Sequence, residues 1–426
     1  MVNNPLNVVI VGGSLTALFH GIVLQRLGHR VRILERNPSN SQISYGAGIA
    51  AMEHVQAFLS QHDKSRTDYS VTSPNVQFLD SSNKIKSTWN VSLQMTSWKV
   101  LYYMMRANFD GMASDICPEP PKQTALPGFT SYEHSKNVTE VKYIDGLVSV
   151  IVEDVDNFSY ETVHADLVLA ADGASSTLRQ LLQPNLKNKY AGYVAWRGTA
   201  LESEISDKTK AIFACKTTFF THKVGYIVLY TIPGEDGSTS PGSRQMNWVW
   251  YTLCPESSDE FAEVMTDVDG HRHHTTLPIG MIDPEKWEQQ KALAGEILPE
   301  PFAEVVQRTT RPFISAIHDR ETANPSFFDG KLLFVGDSLA TFRPHIASST
   351  NQAALDASLV GQLMNGEIDI SKWEESVLAF ANFAVLRSQL WGAYYLSGIL
   401  SVTFAVAFFR YWKLFLVQSV CKRCFG

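Results

Sequence analysis

One stretch constrains the fold more than any other. From Val8 the chain reads "VVIVGGSLTALFHGIVLQRLGHRVRILER". A short apolar run ends in a glycine turn, a helix-length segment follows, and a second β-rich run closes on Glu35. This is the pattern of a β-α-β unit, whose parallel strands need a crossover helix and a sheet covered on both faces. In the dinucleotide-binding form of the unit the turn reads G-x-G-x-x-G. Here Gly12-Gly13-Ser14-Leu15-Thr16-Ala17 fills it, with only the first glycine in place. Gly12 supplies the tight turn. Ser14 is small enough for the backbone to approach a pyrophosphate and can donate its hydroxyl, and alanine is tolerated at Ala17 in helix–strand packing. The free N–H groups of the helix start still favour a phosphate. Glu35, at the end of the second strand, is placed to accept ribose hydroxyls.

The rest of the composition narrows the class. With 426 residues, 45% of them hydrophobic, there is material for two domains sharing a core. A formal net charge of −7 without a basic stripe argues against a nucleic-acid partner. Five cysteines, Cys117, Cys215, Cys254, Cys421 and Cys424, are too few and too scattered for a disulfide framework. Cys421-x-x-Cys424 lacks a second pair, so it reads as a reduced thiol pair. "GHRHHTT" (His271, His273, His274) stands on a polar loop with no carboxylate pattern, and no metal is expected. The chain passes from "MVNNPLN" almost directly into its first strand, which predicts a cytosolic catalytic body. Asn90, Asn137 and Asn157 are then chance matches to the glycosylation pattern.

Along the chain, the pattern predicts a discontinuous nucleotide-binding domain. Its segments are residues 6–75, 96–185 and 316–385. Strands at 76–95 and a β-rich stretch at 186–315, with runs such as "GYIVLYTI" and "MNWVWYTL", form an inserted sheet domain. Trp248, Trp250 and Tyr251 are expected in the sheet core. Residues 386–426 form a hydrophobic tail. Within it Ser388–Phe409 carries no charge over 22 residues, about the length that crosses a hydrocarbon core. Arg410, Tyr411, Trp412, Lys413, Lys422 and Arg423 follow as at a membrane interface. The run predicts membrane contact, spanning or lying in the surface. The alternative is a helix packed on the body.

Two more motifs follow buried strands. "ADGASSTLRQ" gives Asp172-Gly173 and Arg179, and "LLFVGDSLATFRPH" gives Gly336-Asp337. With the opening turn, in this order, the chain resembles the single-component FAD-dependent monooxygenases related to para-hydroxybenzoate hydroxylase. "YAGYVAWRGT", "NWVWY" and "FRPHIASSTNQAALDA" resemble the 2,6-dihydroxypyridine 3-hydroxylase branch and its fungal relatives. The resemblance covers roughly residues 6–395. It implies an α/β fold: a doubly wound FAD-binding domain with an inserted β-sheet substrate domain, followed here by a hydrophobic C-terminal helix.

By position, the resemblance implies cofactor contacts from Gly12, Ser14, Glu35, Arg36, Gly48 in "YGAGI", Arg106 in "MMRANF" and Asp337. Asp172 and Arg179 are expected to serve structure and transient NADPH contact as much as FAD. Many relatives carry a glycine-rich stretch after the G-D motif. Here it is Pro344-His345-Ile346-Ala347-Ser348-Ser349-Thr350-Asn351, with every glycine replaced. Thr350 and Asn351, small polar groups at a helix start, are the expected contacts to the flavin ring. For catalysis, Arg197 in "AWRG" would stabilise a phenolate. Tyr230, or Tyr226 on the same strand face, would orient or deprotonate a hydroxyl, and His345 would be a base titrating near neutrality. The expected activity is hydroxylation of an aromatic or heteroaromatic small molecule with NAD(P)H and oxygen, in fungal secondary metabolism. NAD(P)H binds only briefly, since no second dinucleotide fingerprint occurs. Epoxidation of an alkene, a flavin oxidase and a non-catalytic carrier are the alternatives.

Overall fold

The computed structural model describes residues 5–39, 48–122, 129–223 and 225–425, with side chains described to residue 413. Cys421 and Cys424 therefore lie outside the described side chains. Two large sheets organise the rest. The first has six strands in the order Ser326–Phe327, Leu332–Phe334, Leu167–Ala170, Asn7–Val11, Arg30–Leu34 and Thr130–Glu133. All neighbours pair parallel except the antiparallel edge strand Ser326–Phe327. A parallel sheet is covered on both faces, and the unbroken apolar run Val8–Val11 is accordingly buried. The helix after it, Leu15–Arg26, is buried from Ala17 through Gln25. It shows no polar stripe because it is enclosed on all sides, packed between Trp98–Asp110 and Ser349–Met364.

The second sheet has eight strands: Thr276–Leu277, Phe313–Asp319, Lys189–Leu201, Gln245–Leu253, Gly225–Ile232, Thr217–His222, Val76–Leu79 and Ile85–Trp89. Its side chains alternate between two environments, as a period of two requires. Ile227, Leu229, Trp248 and Trp250 pack against Trp287 and Phe302 from the helices Pro284–Ile297 and Glu300–Gln307. Tyr226, Val228, Tyr230, Val249 and Tyr251 line the opposite face. Register fixes their neighbours: Tyr226 lies opposite Tyr251, Tyr230 opposite Asn247, and Arg197 opposite Val249. The strand Phe313–Asp319 runs across the expected boundary at 315, and Leu93–Ser97 pairs with Gly48–Ala51 and Val71–Ser73 in a small separate sheet.

The tail departs from expectation. The uncharged run is not one membrane-length helix. A long helix, Ile370–Ser397, ends at Gly398 (φ +75°), and a second begins at Val402. The run is thus cut into two short pieces, and among the described residues no helix is long and apolar enough to cross a membrane. The first piece packs on the body, with Ser388, Ala393, Tyr395 and Leu396 buried. Gly392 permits this approach, because a β-carbon there would lie 2.8 Å from the His345 ring. Beyond Gly398 the chain reverses, with Leu400 and Val402 exposed at the turn, and the second helix runs back along the first, Phe404 beside Tyr394 and Tyr411 beside Phe383.

Trp248 anchors the core beneath the sheet. Its indole is fully buried, donates from Nε1 to Thr309 Oγ1 at 2.8 Å and stacks on Trp287. Trp248→Ala should cost about 3–5 kcal/mol in chemical unfolding. A loss under 1 kcal/mol would mean that the sheet is not held by this packing.

Candidate active site

At the C-terminal end of the first strand a cavity of about 180 Å³ is bordered by Gly12, Ser14, Glu35, Arg36, Asp172 and Gly173, among others. Gly12 has φ +97°, and a β-carbon there would lie 2.5 Å from the Ala171 carbonyl oxygen, so only glycine fits the turn. Glu35 closes the turn from the other side. Its carboxylate accepts from the Gly13 amide at 2.7 Å and the Asn37 amide at 2.9 Å. Ser14 Oγ accepts from Trp98 Nε1 at 3.1 Å, which leaves its own proton to donate.

Arg106 reaches this turn through an intermediary. Its guanidinium donates to Tyr102 Oη at 2.9 Å and to Asp110 at 3.0 and 2.8 Å. It lies 3.6 Å from the centre of the Tyr132 ring, and Tyr132 donates to the Gly13 carbonyl at 2.8 Å. The helix arginine expected to meet the cofactor therefore also braces the glycine turn.

The D-G and G-D loops are stitched together by two buried arginines. Arg179 donates to the carbonyls of Gly173, Ala174 and Ser338. Arg320, 1% exposed, donates to Ala174, Asp337 and Ser338 carbonyls and to Asn188 Oδ1. Burial and the neighbouring Arg179 push Arg320 down to about 9. Sequence reasoning did not single out Arg320; its only trace is the charged run "HDRE" at the end of an apolar strand. Beside it, burial pushes the Asp337 carboxyl up, while the Ser349 hydroxyl and both arginines hold it down. Asp356, whose carboxylate accepts from the Gly336 amide at 2.8 Å, is pushed up by burial to about 7.

Asp337 also opens onto a second, larger cavity of about 610 Å³ between the two sheets. One wall is Gly48, Ile49 and the loop Pro344–Thr350; another is the aromatic face of the eight-stranded sheet. Arg197 projects into it from that sheet, near the Phe313 ring, with no partner for its Nε. Thr350 borders this cavity, but Asn351 does not. Asn351 Oδ1 instead caps the helix Glu53–His62, accepting from the amides of His54 at 2.8 Å and Val55 at 3.3 Å. Tyr230 borders the cavity with its hydroxyl donating to the Gly48 carbonyl at 3.1 Å, while the Gly48 amide donates to Asn247.

His345 does not titrate near neutrality. Burial, with Arg343 and Arg197 nearby, pushes it down to about 3, so its ring is neutral. Nε2 meets Tyr193 Oη at 2.6 Å and Nδ1 meets Tyr226 Oη at 2.5 Å. The Arg343 guanidinium, paired with Asp319 at 2.6 Å, can only donate to Tyr193. Tyr193 keeps its own proton to donate to Nε2, which leaves Nδ1–H to donate to Tyr226. The chain runs in one direction, from Arg343 to the cavity wall. Tyr226 and Tyr251 stack with centroids 4.7 Å apart, and burial holds both phenols in the neutral form. Elsewhere, His273 of the histidine-rich loop pairs with Asp267 at 2.7 Å and serves that loop alone.

The residues present fit a dinucleotide with a ring system. The small cavity offers a glycine turn and helix start, and the large one is flat-walled and aromatic. Each is bordered by a buried carboxylate with an oxygen that has no partner: Asp172 Oδ1 at the small cavity and Asp337 Oδ1 at the large one. Such atoms in a protein interior point to a ligand that satisfies them.

Comparison with known proteins points the same way. The family described as FAD binding domain-like matches residues 190–319. The 2,6-dihydroxypyridine 3-monooxygenase of Paenarthrobacter nicotinovorans is 25% identical over 376 residues, covering 86% of each chain. A FAD-dependent monooxygenase of Beauveria bassiana is 23% identical, covering 91% of this chain and 83% of its own. Among solved structures, 2,6-dihydroxypyridine-3-hydroxylase from Arthrobacter nicotinovorans superposes with a TM-score of 0.74 at 24% identity, covering 92% of this chain and 91% of that one. A Klebsiella pneumoniae protein complexed with FAD and uric acid does so with 0.67 at 16% identity, covering 96% and 92%.

The neutral His345 ring has a measurable consequence. Its folded value lies below the ordinary 6.5, so the unfolded chain binds the extra proton. The associated stability is complete above pH 6.5 and is lost as pH falls towards about 3. His345→Gln should flatten the fall of unfolding free energy between about pH 6 and 4 by about 1.4 kcal/mol per pH unit. Urea unfolding across that range reads it, with His20, also pushed down by burial, common to both proteins. Identical slopes would mean that folding does not lower this ring's affinity for a proton.

Proposed function

We propose that this chain, a FAD-dependent monooxygenase, uses NAD(P)H and oxygen to hydroxylate an electron-rich aromatic or heteroaromatic small molecule. One observation carries the reading: a half-buried arginine, Arg197, with its Nε enclosed and without a partner, faces an aromatic-walled cavity that also receives Asp337 and the Pro344–Thr350 loop. An aromatic ring is attacked by electrophilic oxygen most readily as its phenolate, and a fixed cation in a dry cavity stabilises that charge. When bound, FAD supplies the hydride acceptor for NAD(P)H and the site at which oxygen is activated.

The remaining roles fall to this chain's own groups. Gly12 and Ser14 admit the pyrophosphate to the helix start, and Glu35 and Arg36 flank the adenosine end. Arg106 holds the turn through Tyr132. Asp337 bonds the linker between the two cavities, with Gly48 and Thr350 against the ring. Tyr226, Tyr230 and Tyr251 keep their protons at neutral pH because burial raises all three. They act as hydrogen-bonding and stacking walls that orient the substrate, and Arg197 stabilises the phenolate that remains once the phenol has given its proton to bulk water.

Purified protein should be yellow and should oxidise NADPH in air. Arg197→Met should retain FAD yet lower kcat/KM for hydroxylation of a phenol about 10²–10³-fold. The loss should shrink with more acidic phenols, which ionise without help. Full activity in Arg197→Met would remove this residue from the chemistry, and a colourless protein that cannot be loaded with FAD would end the reading.

A further inference from the structure

One wall of the large cavity carries a cation, Arg387, immediately ahead of the uncharged run that begins at Ser388. Arg387, Trp391 and Tyr395 recur every four residues on the helix Ile370–Ser397, and all three border the large cavity. Residues at this spacing share a helix face, each about 6 Å further along the axis. Trp391 and Tyr395 stack with centroids 5.6 Å apart, and Phe219 and Tyr226 continue the aromatic surface from the sheet. At the other end of the stripe Arg387 is exposed, and none of the ion pairs or hydrogen bonds among the described residues engages it. Trp89 and Val91, also exposed, border the cavity as well, with the Trp89 ring 6.1 Å from that of Trp391. Of the other cavity arginines, Arg343 is neutralised by Asp319. Arg197 lies in the aromatic interior. The rim of the cavity therefore holds a positive charge, without a partner among the described residues, one to two helical turns from a stacking surface.

We propose that Arg387 anchors an acidic group of the substrate, which is thus an aromatic acid lying with its ring against Trp391 and Tyr395. This rests on the reading that the large cavity holds the substrate. It adds a specificity residue and a charge to the substrate class. A guanidinium pairs with a carboxylate through two parallel N–H donors, so shape as well as charge is selected.

The test is calorimetric titration of the FAD-loaded full chain with 6-hydroxy-2-naphthoate and with its neutral isostere, 6-hydroxy-2-naphthamide. The acid should bind about tenfold more tightly than the amide, the scale of one charge-assisted pair at a half-open site. The preference should weaken as salt is raised. Arg387→Gln should bring the ratio to about one while leaving the amide's affinity unchanged, and Arg387→Lys should keep part of the preference. Equal affinities in the unaltered protein, failure of both probes to bind, or an equal loss for both in Arg387→Gln would overturn the proposal. Because titration needs no turnover, such a result with NADPH oxidation intact leaves the monooxygenase reading standing. Intact discrimination without NADPH oxidation would do the reverse.

Discussion

Everything at the site depends on two arginines buried between loops. Arg179 and Arg320 join the end of the strand Leu167–Ala170 to the end of Leu332–Phe334 through carbonyls at 173, 174, 337 and 338. Those carbonyls belong to turns that leave the sheet and have no ladder partner, so each needs a donor. Two guanidiniums side by side repel, and the nearby Asp172 and Asp337 offset that repulsion. Removing either aspartate would leave a buried positive charge unbalanced, which is more costly than the pair was favourable. The arrangement explains why acidic residues occur at both motifs. They are needed to hold the loops together before any ligand arrives.

The second organising constraint is the period of two along the eight-stranded sheet. One set of side chains is mainly apolar and welds the sheet to its helices; the other is tyrosine-rich and faces the cavity. Phenols suit the second role because they present flat apolar faces for stacking yet tolerate burial when their hydroxyls find partners. The chain of donors from Arg343 through Tyr193 and His345 to Tyr226 provides those partners in one direction only. Burial displaces the titration of this histidine downward, and the positive charges of Arg343 and Arg197 add to the displacement.

The opening β-α-β unit was legible from apolar runs and one glycine, because a strand, a turn and a helix are local objects. The alternation in "GYIVLYTI" gave the sheet, and its register then decided which tyrosines share a face. What could not be read were contacts made across hundreds of residues. Asn351 looked like a donor to a ligand at a helix start, whereas it caps a different helix 297 residues earlier in the chain. Arg320 sits in no motif and gains its meaning only when two loops close on it. Tyr132 stands between Arg106 and the turn, and nothing in its local sequence announces that.

The tail shows the same limit from the opposite direction. Hydropathy measures how much a segment gains from leaving water, and both a lipid bilayer and an aromatic cavity provide that gain. The segments differ in what else they must do. A spanning helix needs its apolar surface on all sides over about 30 Å. A cavity wall needs it on one face, interrupted where the fold turns. Gly392 lying against the His345 ring and Gly398 ending the helix meet the second requirement and defeat the first. The absence of charge from Ser388 onward is therefore explained at its start by packing against tyrosines. Arg387, the last charge before it, marks where that wall reaches water.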